Sequence, residues 1–194
     1  MGKIFYLMGK SSTGKDTIFR MLKESFPKMR TIIPYTTRPI REGEIDGREY
    51  YFVDSNRLSE LEDAGRVIEL RAYQTMHGIW KYFTVDDGQV DLNQYSYLVI
   101  GTLQSYEKIC AYYGAQRLVP IYIEVADGDR LTRALEREKC QKHPKYSEMC
   151  RRFLADADDF SEQNLQKNGI SRCFQNDQQN ACFQEINLYI KENM

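Results

Sequence analysis

The segment Gly9-Lys10-Ser11-Ser12-Thr13-Gly14-Lys15-Asp16-Thr17 constrains this chain more than any other feature. It lies between the apolar run Lys3–Met8, which reads as a strand, and a stretch with Ile18, Met21, Leu22 and Phe26 at helical spacing that Pro27 stops. A G-x-x-x-x-G-K spacing between strand and helix predicts a phosphate cradle. The glycines let the backbone curl until successive N–H groups point inward, and the helix N-terminus adds its partial positive charge. Lys15 supplies a full charge to the β- and γ-phosphates of a nucleotide. Ser or Thr normally follows the Lys to hold Mg²⁺, whereas here Asp16 stands next and Thr17 after it. Asp16 has two readings: an oxygen ligand for Mg²⁺, directly or through water, or a first-turn acid that favours the helix dipole and has no metal role.

Beyond this loop, Met29–Ile33 reads as a strand, and 34–52 is rich in Arg, Gly and Glu without helical period. Leu58–Ala64 reads as a short helix, Val67–Leu70 as a strand, and Met76–Thr84 as hairpin-like. Tyr97–Ile100 is a strand followed by a helix near Gln104–Tyr113. Leu118–Val125 is another strand, in which Pro120 argues for an edge. Asp129–Lys139 and Tyr146–Gln166 read as helices, Ser171–Phe174 as a last strand and Phe183–Ile190 as the opening of a terminal helix. Strands alternating with helices predict an α/β fold whose mostly parallel sheet is covered on both faces.

A chain of 194 residues suffices for one domain with small insertions. With a net charge of −1, no global field draws it to nucleic acid or an anionic membrane, so an anion site must be built locally. No apolar run approaches the roughly 20 residues of a membrane span, and the N-terminal apolar stretch is too short for a signal peptide, which predicts a cytoplasmic protein. Cys110, Cys140, Cys150, Cys173 and Cys182 form no C-x-x-C pair, and with His77 and His143 they offer no metal-cluster spacing, which predicts reduced structural thiols.

A second signal runs from Tyr35-Thr36-Thr37-Arg38-Pro39-Ile40-Arg41-Glu42-Gly43-Glu44 to Asp46-Gly47-Arg48-Glu49-Tyr50-Tyr51-Phe52. Two guanidiniums three residues apart with a Tyr hydroxyl nearby suit a phosphate monoester, because Arg forks bind such oxygens bidentately. Together with the phosphate loop, the pattern T-T-R-x-x-R-x-G-E-x-x-G-x-x-Y-x-F, the Ile68-Glu69 strand end and Asn176-Asp177 after the last strand, this chain resembles the guanylate kinase family.

The resemblance implies a P-loop NTPase-type three-layer sandwich in a single kinase domain. Its core would be 1–33, 86–126 and 167–194, with an NMP-binding subdomain at 34–85 and a lid at 127–166. It implies ATP and Mg²⁺ as cofactors and GMP as acceptor, with no nucleic-acid or membrane partner, in a monomer or homodimer. Carried over by position, Arg38, Arg41, Tyr50 and Tyr82 would hold the GMP phosphate, with Glu44 in the same motif. Glu69 would accept from guanine N1–H and the 2-amino group, and Thr84 would stand near O6. Asn176 would edge the adenine pocket. Arg130, Arg133 and Arg137 share one face of a helix. With Arg151 and Arg152 they would form a lid bringing charge to the transferring phosphoryl, with Arg133, Arg137 and Arg152 the foremost candidates.

The chain departs from the family pattern at Pro34, where a Ser is usual, and at Phe83, where a Gly is usual. Ile100-Gly101-Thr102 replaces an Asp-x-Asp, leaving Thr102 to offer a hydroxyl without charge. These changes alter one wall of the acceptor pocket and bear on base preference more than on reaction type. Two other readings remain open: a same-scaffold kinase for another acceptor such as ribose 1,5-bisphosphate, which the Gly-Lys-Asp arrangement also resembles, and a guanylate-kinase-like binding module.

Overall fold

The computed structural model describes residues 2–75 and 78–194; Met1, Met76 and His77 lie outside the described residues, and with them the start of the Met76–Thr84 reading. In chain order the elements are β1 (Ile4–Met8), α1 (Lys15–Ser25), β2 (Arg30–Thr31), β3 (Tyr35–Thr36), β4 (Tyr51–Phe52), α2 (Ser55–Asp63), β5 (Val67–Thr75) and β6 (Gly78–Val85). Then follow β7 (Tyr97–Ile100), α3 (Leu103–Tyr113), β8 (Leu118–Glu124), α4 (Asp127–Lys139), α5 (Tyr146–Asp159), α6 (Glu162–Lys167), β9 (Cys173–Gln175) and α7 (Gln179–Glu192).

Five strands form a parallel sheet in the order β2-β7-β1-β8-β9. β1 lies at its centre, and all five of its residues are fully buried, as expected of a parallel strand covered on both faces. Its side chains alternate between two cores. Ile4, Tyr6 and Met8 pack with Leu103, Tyr106 and Ile109 of α3. Phe5 and Leu7 pack with Ile18 and Leu22 of α1 and with Cys182, Ile186 and Ile190 of α7. The result is three layers, α3 on one face and α1 with α7 on the other. Among the described residues no helix is long and apolar enough to cross a membrane.

A second sheet, ordered β4-β3-β6-β5, is built around the β5–β6 hairpin. Leu58 and Leu61 of α2 close a small core against Phe83 and Val85 of β6. The Thr36-Thr37 pair ties this sheet together. Thr36 Oγ1 donates to the Lys81 carbonyl and accepts from the Arg38 amide, while Thr37 Oγ1 accepts from the Lys81 amide.

Three expectations need correcting. β5 extends to Thr75, well past Leu70, because the hairpin partner pairs along its whole length. The single helix expected over Tyr146–Gln166 is two, α5 and α6. They break where buried Phe160 turns inward and stacks on Tyr122 at 5.5 Å. Strand β8 lies between β1 and β9, not at an edge. Pro120 is tolerated because β9 pairs only with Tyr122–Glu124, which leaves the flank beside Pro120 open.

The switch from β7 into α3 is tight. Thr102 caps α3 by accepting from the Ser105 amide, and a Cβ at Gly101 would lie 2.0 Å from the Tyr6 hydroxyl. Gly101→Ala is therefore expected to destabilise by about 1–3 kcal/mol, a fall in Tm of roughly 2–10 °C for a domain of this size. Tyr6→Phe in the same chain removes the colliding oxygen but leaves the ring carbon Cζ at 2.8 Å, so it should recover part of the loss, as thermal unfolding would show.

Candidate functional site

The loop from β1 to α1 is shaped by close approach. A Cβ on Gly9 would sit 2.4 Å from the Ile123 carbonyl. Gly14 is left-handed at φ 80° and faces the Asn176 amide at 2.6 Å from its would-be Cβ, so both positions require glycine. Ser12 is also left-handed, at φ 64°. Thr13 is buried, and its hydroxyl donates to the Lys10 carbonyl. Lys15 turns back over the loop, its Nζ 3.4 Å from the same carbonyl. Burial pushes the Lys15 pKa down, Asp16 and Asp156 oppose that shift, and Arg137 and Arg130 add to it. An incoming phosphate would supply the counter-charge this ammonium lacks.

Asn176 packs behind the loop. It is buried, its Nδ2 donates to the Thr13 carbonyl at 2.7 Å, and its amide donates to the Glu124 carbonyl. In this conformation it braces the cradle from the ends of β8 and β9. Asp156, on α5, accepts from the Ser11 amide at 2.7 Å. Arg130 is fully buried beneath both. It donates to the Ser11 carbonyl and Asp127, reaches Asp156 at 3.4 Å, and lies 4.4 Å from the Phe153 ring.

The other arginines of the expected lid are arranged differently from one another. Arg133 donates to the Asn176 carbonyl at 3.1 Å, at the back of the loop. Arg137 is exposed, yet near enough to depress the Lys15 ammonium. Arg151 and Arg152 both pair with Glu148 of their own helix, and this holds the Glu148 carboxyl down to about 2. Arg152 thus faces its own helix in this conformation.

In the acceptor loop, Arg38 is only 3% exposed. Its Nη1 and Nη2 donate to the two oxygens of Glu44 at 3.0 and 2.7 Å, and Nη1 also reaches the Pro39 carbonyl. Its guanidinium lies 5.6 Å from the Tyr50 ring and 5.5 Å from Phe52. Gly43, at φ 83°, makes the turn that lets Glu44 accept from the Arg41 amide as well. Glu44 is therefore a positioning residue for the loop, and Arg41 stays exposed on its rim. Burial raises the Tyr50 pKa, and its ring meets Tyr82 edge-on at 5.7 Å.

On the β5–β6 hairpin, Glu69 stands opposite Thr84 and Arg71 opposite Tyr82. Glu69 is buried and accepts from Arg71 twice and from the Thr84 hydroxyl. Sequence reasoning missed Arg71. The signal was its i, i+2 spacing from Glu69, which in a strand places both on one face. A cleft of about 250 Å³ joins the two halves, lined by Lys15 and Asp16 on one side and Tyr50, Arg71, Tyr82 and Thr84 on the other. Thr102 also lines it.

Among the described residues four buried side-chain polar atoms have no hydrogen-bond partner, and three of them are Ser12 Oγ, Arg38 Nε and Asn176 Oδ1. Orphaned buried groups are rare, and these cluster at the two anion cradles. No group of three or more His, Cys, Asp or Glu converges for a metal among the described residues. Asp16 alone faces the cleft beside Lys15. That donor set fits Mg²⁺ held mainly by nucleotide phosphates and water, as this ion prefers.

Comparison with known proteins places these features in context. The family model described as guanylate kinase matches residues 1–83. A guanylate kinase of Rhodopseudomonas palustris (strain ATCC BAA-98 / CGA009) is 46% identical over 68 residues, 35% of this chain and 31% of that protein. One of Mycobacterium bovis (strain ATCC BAA-935 / AF2122/97) is 37% identical over 78 residues, 40% of this chain and 36% of that protein. The matched stretches thus span about a third of the length of these curated relatives. The crystal structure of guanylate kinase from Anaplasma phagocytophilum superposes on the whole chain and on 87% of its own, with a TM-score of 0.65 and 20% identity. That likeness concerns the fold, the P-loop NTPase α/β architecture.

The Arg38–Glu44 pair generates a prediction with a defined sign. The Arg38 guanidinium, and next to it the Arg41 amide, hold the Glu44 carboxyl below its ordinary value. A lowered folded pKa contributes stability that is present above the unfolded pKa and is lost as pH falls through the folded one. Glu44→Gln should therefore lower Tm at neutral pH, leaving a buried guanidinium without its counter-ion. The gap from wild type should narrow as pH drops below the usual carboxylate range. Thermal melts of both proteins from pH 7 to pH 3 check this; a gap independent of pH would contradict it.

Proposed function

We propose that this chain, whose residues 1–83 match the guanylate kinase family model, is a member of that family and transfers the γ-phosphoryl of ATP to the phosphate of a nucleoside monophosphate, GMP foremost, forming ADP and a nucleoside diphosphate. One observation carries the reading: a single cleft is shared by Lys15 and Asp16 of the phosphate loop and by Tyr50 and Tyr82 of the acceptor loop and hairpin. The phosphate loop and the two tyrosines beside the Arg38 loop open into this one space, which suits a donor and an acceptor phosphate held face to face; Arg38 and Arg41 do not line it in this conformation.

In this reading the loop amides from Ser11 to Lys15 and the Lys15 ammonium hold the ATP phosphates. Arg41, with the hydroxyls of Tyr50 and Tyr82, holds the acceptor phosphate, and Arg38 joins them only where its Nη atoms let go of Glu44. An oxygen of that phosphate forms the new bond to the γ-phosphorus as the bond to the β–γ bridging oxygen breaks, and ADP leaves with that electron pair. The attacking group is already an anion, so no general base is needed, and catalysis is mostly positioning and charge stabilisation. Mg²⁺, when bound, neutralises charge on the β- and γ-oxygens; Asp16 and Thr17 are the residues that would hold it or its waters. Arg133, Arg137 and Arg152 supply charge to the transferring group once the segment 127–166 closes, and closure excludes water that would otherwise compete for the phosphoryl. For Arg152 that step includes letting go of Glu148. On this reading the protein works in the cytoplasm, where ATP is supplied.

The test is an ADP-release assay with Mg²⁺-ATP across GMP, dGMP, IMP, AMP, CMP and UMP. Acceptor-dependent ADP formation is expected. Lys15→Ala should lower kcat by on the order of 10²–10³, the usual cost of removing one charge-stabilising donor. Arg41→Ala should act mainly on the acceptor's KM. No ADP release with any acceptor, or full activity in Lys15→Ala, would overturn the reading.

A further inference from the structure

The far wall of the cleft holds a charge arrangement that the family resemblance does not supply. Glu69, the residue implied to read guanine, already has its oxygens engaged. Arg71 Nε donates to Oε2 at 2.9 Å, Arg71 Nη2 donates to Oε1 at 3.1 Å, and the Thr84 hydroxyl donates to Oε1 at 2.9 Å. An ionised carboxylate has about four lone-pair sites, so one remains. Two adjacent donors such as guanine N1–H and its 2-amino group need a pair. The fork of Arg71 occupies the side of the carboxylate where such a pair would dock.

Exposure shows which group a ligand meets. The Glu69 side chain is 1% exposed and that of Arg71 14%, and Arg71 lines the cleft. Its Nη1 reaches toward the Thr102 hydroxyl only at 3.4 Å. Guanidinium N–H groups are thus left facing the cleft. The Thr84 proton is spent on Glu69, so that hydroxyl cannot also donate to a base carbonyl. Around Arg71 the wall is largely apolar, with Ile32, Pro34, Val99, Ile100 and Ile109. That lining suits the flat face of a nucleobase. The ion pair itself is neutral as a unit, which gives a second phosphate no net attraction.

Resting on the nucleotide reading above, we propose that Arg71 is the specificity-determining residue of the acceptor site. It converts the wall from an acceptor surface to a donor surface, so that a 6-oxopurine is read through its O6 and N7 acceptors and its 2-amino group is not required. Arg paired to O6 and N7 is the commonest specific contact to guanine in other settings. Adenine presents an amino donor beside N7 and is mismatched to this wall.

Two measurements test this. Calorimetric binding of GMP, IMP and 7-deaza-GMP to the wild-type protein needs no variant. IMP should bind within about threefold of GMP, while 7-deaza-GMP should bind on the order of tenfold more weakly, the loss expected of one half of a bidentate contact. The ADP-release assay on Arg71→Ala and Arg71→Lys gives the second readout. Freed from Arg71, Glu69 should accept from the 2-amino group, so the GMP-to-IMP ratio of kcat/KM should rise about tenfold in Arg71→Ala and less in Arg71→Lys. Wild type preferring GMP over IMP by more than tenfold, indifference to the N7 substitution, or no binding of any of the three would overturn the assignment. Selective binding without ADP release would instead sink the transfer reaction and leave the role of Arg71 standing.

Discussion

The functional half of this molecule depends on how closely the end of the parallel sheet approaches the turn after β1. Gly9 passes so near the Ile123 carbonyl that no side chain fits, and the Asn176 amide bonds the Thr13 carbonyl just behind Gly14. These contacts come from β8 and from the residue after β9, and so exist only when β1, β8 and β9 are in register. The curl that aims the loop amides inward is therefore a consequence of sheet assembly. It also explains why full burial of β1 matters beyond stability: a slip of one residue would exchange its two faces and move the glycines away from their contacts.

Charge is handled locally throughout. With a net charge of −1 the chain has no general affinity for anions. Its buried guanidiniums are held by internal carboxylates: Arg38 by Glu44, Arg71 by Glu69, and Arg130 by Asp127 and Asp156. Removing either partner of a buried pair is costly because the remaining charge is stranded. The pairs therefore fix geometry before any ligand arrives. Lys15 differs: burial and neighbouring arginines work against its charge, so of these groups it has most to gain from a phosphate.

Much of the fold was legible because its signals are periodic. The apolar run of β1 and the helical spacing of α1 fall where pattern reading expects them. The α5–α6 break was not legible, since nothing local announces that Phe160 will stack on Tyr122 of a distant strand. The site divides in the same way. The phosphate loop and the T-T-R stretch carry their chemistry in contiguous sequence. Three facts required the three-dimensional pairing: Asn176 backs the loop, Asp156 reaches the Ser11 amide, and Glu44 serves Arg38.

The replacement of the family's Asp-x-Asp by Ile100-Gly101-Thr102 is part of the same redesign as Arg71. Gly101 is imposed by the Tyr6 hydroxyl, which fills the space a side chain would take. Burial raises the Tyr6 pKa, so the phenol stays a neutral donor within reach of the Thr102 carbonyl. An aspartate at 100 or 102 would bring a second carboxylate toward Glu69 and compete with it for the single guanidinium of Arg71. With Ile100 and Thr102 there, the wall carries one acid and one base that neutralise each other, beside hydroxyls and aliphatic carbon. The absence of that acidic pair and the presence of the arginine are thus one electrostatic solution, in which a buried wall stays neutral while turning its donors toward the cleft.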